Sequence, residues 1–158
     1  MRDTEELRKD LRVNTAPTAT QPTARPALSR LLWVGPLTIV AATIANVIIR
    51  QLAVAVLRPD PAFMPLTLMP PILFTVIGVL GAVLVYALVG RFARNPVALF
   101  RRIALITLAV SFIPDILILI TGFNPGTTLA NVLVLMVMHV VAWAISVGML
   151  TRLAGPQA

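Results

Sequence analysis

Four apolar runs, each about as long as a bilayer is thick, constrain this chain more than any other feature. A helix that crosses ~30 Å of hydrocarbon needs about 20 residues at 1.5 Å each. The runs cover residues 31–57, 71–90, 96–120 and 125–150. Three short links separate them. Residues 58–69 hold Pro59, Pro61 and Pro65 and cannot form a continuous helix. Residues 91–95 are a polar turn, and TGFNPG at 121–126 is a second. Composition excludes the alternative of a soluble domain. Charged residues make up 12 % of the 158-residue chain, hydrophobic ones 58 %, and mean hydropathy is +0.92. Soluble domains carry about 25 % charged residues. The fold class that follows is all-α: a four-transmembrane-helix, up-down bundle.

Helix ends are legible. Arg58-Pro59 is the first stop signal, so the first span runs to Leu57. Pro70-Pro71 suits the first turn of the second span, where a missing N–H has no partner to lose. Asn95-Pro96 reads as N-cap and first helical residue of the third, and Asn124-Pro125 as a cap for the fourth. Residues 1–30 are different in kind. Their Thr, Ala and Pro content at 13–28 buries too little surface to offset ordering entropy, which predicts a disordered cytoplasmic tail. Residues 31–153 form the membrane domain and 154–158 a C-terminal tail.

The net charge is +7, and all but one of the cations are Arg. They cluster at the ends of apolar runs, where they orient spans and meet anionic head groups, and nucleic-acid binding is not expected. Arg91, Arg94, Arg101 and Arg102 surround the second link, while the third link has no cation. Cytoplasmic loops carry the excess of Arg and Lys, so both termini are expected inside a multi-pass cell-membrane protein. Trp33, Tyr86, Phe92, Phe100 and Trp143 are expected near that inner interface. The bilayer is one partner; a second copy or another membrane protein is a further one.

Few polar groups lie within the spans, and intramembrane ionisable groups are functional candidates by default. They are Asn46 and Arg50 in span one, Thr75 and Tyr86 in span two, Ser111 and Asp115 in span three, and Asn131, His139 and Ser146 in span four. Asp115 lies ~20 Å in from Arg102 by the helix rise and needs a partner, a proton or a crevice. Arg50 is the expected partner: spans one and three run in the same direction, and Asn46 and Ser111 sit at i, i+4 from the two charges. The other reading of Arg50 is an interfacial anchor. Asp115 reads either as a structural group or as part of a transport path. His139 reads as a proton shuttle or as an interhelical hydrogen-bonding group. Asn131 is expected to hold helices together, and Gly78 and Gly81 to permit close helix approach.

Catalytic and metal templates fail. Ser111 and Asp115 stand one turn apart on one helix, and nothing resembles a nucleophile elbow. One His, one intramembrane acid and no Cys make no metal site, and no cofactor is implied. The segments Asn46/Arg50, Ser111-Phe-Ile-Pro-Asp115 and Met138-His139-Val140 give the stretch 31–153 a resemblance to an uncharacterised bacterial family of small four-span membrane proteins. That resemblance implies an integral membrane bundle and no activity. The expected function is a non-enzymatic structural or accessory bundle. The alternative is a small oligomeric transporter or channel for protons or a small solute, using Arg50, Asp115 and His139.

Overall fold

The computed structural model describes residues 28–155. The expected tail over 1–27, and residues 156–158, lie outside the described residues. Four helices make up the fold: α1 (Leu28–Leu57), α2 (Met69–Phe92), α3 (Pro96–Thr121) and α4 (Leu129–Leu153). The shortest has 24 residues, or ~36 Å, so each is long enough to cross the hydrocarbon core. The chain is an all-α bundle and a multi-pass membrane protein.

Local chemistry sets the ends. The first helical turn of α1 begins at Leu28, so residues 28–30 belong to the helix and not to the tail. α1 stops where Arg58 takes a left-handed φ of 47° and its N–H bonds Val54 O at 3.1 Å. Pro59 follows and bars another helical turn. A single 3-10 turn, Met64–Leu66, bridges to α2. α3 begins at Pro96 with Asn95 as N-cap and ends on Gly122, whose φ of 61° closes the helix on Ile118 O. The fourth helix departs from expectation. Asn124-Pro125 lies in a turn, and Thr128 is the cap, accepting from Asn131 N at 3.2 Å. Thr128 has the extended backbone that an N-cap needs, with its hydroxyl free to accept.

Two clusters close the bundle ends. At the end holding the 91–95 turn, Val34, Tyr86, Phe100 and Leu150 are fully buried. The Tyr86 and Phe100 rings meet edge to face at 4.9 Å. At the other end Phe63 and Leu66 fold inward onto Leu135 and Met138. The starts of α1 and α3 thus share one end with the finishes of α2 and α4, which is up-down topology. α1 packs on α2 and α4, α3 packs on α4 and α2, and α2 also touches α4. That contact across one diagonal keeps α1 and α3 apart. α3 is the least covered of the four helices.

Candidate functional site

Between the two closed ends lies a crevice of about 850 Å³. Its walls are α2, α3 and α4, with Asn46 contributed by α1. On α3 the residues Thr107, Ser111 and Asp115 recur every four positions and so share the face that lines it. α4 supplies His139, Trp143 and Ser146 at helical spacing. α2 supplies Thr75, Gly78 and Gly81.

Asp115 is 4 % exposed and its carboxylate Oδ2 lies 3.2 Å from His139 Nδ1. This is the one acid–base pair among the described residues. Nδ1 also lies 2.8 Å from Leu135 O, one turn back on α4. A carbonyl at that distance requires the proton on Nδ1, so the ring N–H is directed to Leu135. Oδ2 then sits beside the imidazole without a well-aligned donor of its own. Phe112 meets the His139 ring edge-on at 6.3 Å and limits its swing.

Asn46, 4 % exposed, donates from Nδ2 to Thr75 Oγ1 at 2.8 Å and ties α1 to α2. Its Oδ1 has no hydrogen-bond partner. Trp143 Nε1 is buried and unpartnered as well. Three polar atoms without partners therefore belong to residues of one crevice: two acceptors and one donor.

Arg50 does not join them. Its Nε donates to Leu66 O at 2.9 Å and its Nη1 to Gln51 Oε1 at 2.7 Å. The expected Arg50–Asp115 pair is corrected. Their helices run in the same direction but stand on opposite corners, and His139 of the intervening α4 takes the place of the arginine. Arg50 instead clamps the 3-10 turn that seals the bundle end. Ser111 lines the crevice while its Oγ donates to Leu108 O at 2.7 Å. Asn131 stands apart. It is buried at the start of α4 and donates from Nδ2 to Gly126 O at 3.2 Å, holding the α3–α4 turn.

Two further readings change. Gly78 and Gly81 do not mark a close helix contact, since a Cβ at either would meet nothing within 4 Å. They widen the crevice. The close approach is at Gly35, where a Cβ would lie 3.1 Å from Val83 Cγ1. Trp143 is not at an interface but near the middle of α4, on the crevice wall. The spacing His139, Trp143, Ser146 was the available signal, because i, i+4, i+7 is one helix face.

The profile of a family described as a family of unknown function, DUF6069, matches residues 23–156. The chain belongs to the DUF6069 family. No curated protein and no solved structure matches this DUF6069 member. The matched region contains all four helices and every crevice residue.

Proposed function

We propose that this DUF6069 member is a non-enzymatic protein of the cell membrane that binds and carries a small molecule at the Asp115–His139 crevice. The observation that carries this reading is a buried carboxylate oxygen lacking a donor, on a residue that lines a space of about 850 Å³. Helices in lipid associate by close packing of small residues and by satisfied polar contacts. A scaffold would fill this space and pair these atoms. Ligand sites are concave, of ~300–1,000 Å³, mostly apolar, with a few convergent polar groups. The non-enzymatic part rests on Ser111, whose hydroxyl bonds its own helix and not His139. The orientation belongs to the same proposal: four arginines flanking the 91–95 turn favour both termini in the cytoplasm.

Native mass spectrometry of the protein released from mild detergent tests the binding. A small-molecule adduct is expected on the wild type and lost in Gly81→Leu, which places four carbons in open space on the crevice wall. A wild type without adduct, together with a Gly81→Leu variant that is simply more stable, would make the crevice a packing gap and the protein a scaffold.

A further inference from the structure

We infer that the crevice takes a hydroxyl-bearing lipophile, an apolar body with an alcohol or phenol head, which enters from the bilayer between α2 and α3. This rests on the binding reading above and adds the ligand's chemistry and its route.

The route follows from what is closed. Tyr86, Phe100 and Leu150 seal one end of the bundle. Phe63 and Leu66 seal the other, with Leu66 held by Arg50. The side is open. Phe74, Ile77 and Gly78 on α2 and Thr107 and Pro114 on α3 line the crevice and are exposed at the same time. These positions lie within the spans, so the mouth faces hydrocarbon rather than water. A molecule that arrives there is already dissolved in lipid.

The head group follows from what is unmet. Asp115 Oδ2 and Asn46 Oδ1 are acceptors in want of a donor, and Trp143 Nε1 is a donor in want of an acceptor. A hydroxyl does both: it donates to an acceptor and accepts from an indole. A ketone, ester or ether only accepts and would leave Asp115 and Asn46 as they are. A full cation would serve the carboxylate but crowd the His139 ring, whose Nδ1 carries its proton and lies 3.2 Å from it. Buried polar groups left unpaired are what lets a site discriminate sharply between a ligand and its analogue lacking one hydroxyl.

The chain has two Trp and no Cys, which makes both halves of the inference measurable. Trp33→Phe leaves Trp143 as the sole tryptophan, on the crevice wall and excited selectively at the red edge. The protein in phosphatidylcholine nanodiscs is titrated with 1-dodecanol, dodecylamine or methyl dodecyl ether. Dodecanol is expected to change Trp143 emission saturably. The ether should bind about tenfold more weakly, because it leaves the buried Asp115 acceptor unmet. Asp115→Leu should bring dodecanol down to the level of the ether, and Gly78→Leu should abolish the response. Should Gly78→Leu fail to insert, Gly81→Leu tests the same wall. For the route, a nitroxide on Thr107→Cys should collide with oxygen more than with a water-soluble nickel chelate. Oxygen collisions should fall when dodecanol is bound.

Ether binding equal to dodecanol, or tighter binding of the amine, overturns the hydroxyl assignment and leaves the binding reading standing. Greater collision with the nickel chelate overturns the lipid route. If no probe gives a saturable response and the leucine variants merely gain stability, the binding reading itself fails.

Discussion

Breaking the Asp115–His139 pair should cost less in the double variant than the two single changes cost in sum. The two groups lie 3.2 Å apart on α3 and α4, and Asp115 is almost wholly buried. In soluble interiors, removing one member of a buried pair costs ~3–5 kcal/mol. Three features of this site reduce that figure. His139 keeps its 2.8 Å bond to Leu135 O when Asp115 is removed, so His139 is not orphaned. Asp115 lines a crevice, so a leucine in its place is accommodated without displacing packed neighbours. Interhelical polar contacts in lipid measure only ~0.6–2 kcal/mol. Asp115→Leu is therefore expected to cost ~1 kcal/mol, and His139→Leu, which removes both the imidazole 3.2 Å from the carboxylate and the bond to Leu135 O, ~2 kcal/mol. In the double variant the coupling should be ~1 kcal/mol, because the second change removes a partner already lost. The assay is unfolding in mixed micelles by SDS titration, followed by far-UV circular dichroism. The cycle of Asp115→Leu with Arg50→Leu is the control. Those residues have different partners, so their effects should add to within ~0.5 kcal/mol. A coupling near zero for Asp115–His139, or one near 1 kcal/mol for Arg50–Asp115, would refute the geometry.

Two further outcomes can be checked with the same preparation, and a third in cells. Gly126→Ala should destabilise the α1–α2 and α3–α4 links by more than ~1 kcal/mol: φ is +72°, and the new Cβ would fall 2.5 Å from Asp60 Cβ. Asp60→Gly in the same chain should relieve the clash but not the backbone cost, which separates the two contributions in the same denaturation assay. Phe63→Ala should cost ~3 kcal/mol by opening a cavity beneath the 3-10 turn, and Arg50→Ala ~1 kcal/mol by freeing Leu66 O; proteolysis within residues 58–68 should rise in both. Reporter fusions after Arg94 and after Ala158 should read cytoplasm, and one within 122–126 the opposite side; a reversed C-terminal signal would overturn the orientation drawn from the arginines.

The helices and their order were open to reading from the chain, because the spanning requirement acts on each segment separately. Twenty apolar residues must satisfy their backbone within themselves, so length and hydropathy suffice to place α1 to α4, and Pro59 and Pro96 mark ends through their own backbone preferences. Asp115 and His139 were equally legible as candidates, since an ionisable group in an apolar run stands out at once. Their partnership was not. Spans one and three run in the same direction, and sequence spacing gives each residue a depth and a face but never a neighbour. Which corners touch depends on how four helices settle against one another, and here the α2–α4 contact separates Arg50 from Asp115. Gly78 and Gly81 show the same limit. A pair of small residues permits either a tight helix contact or an open wall, and only the position of α3 makes them a wall. Trp143 reads as interfacial from the sequence because Trp favours an interface; the structure places it at mid-helix, on a mostly apolar crevice formed by side chains from all four helices. Depth is a property of one helix and is written along it; a cavity is a property of several and exists only once they are packed.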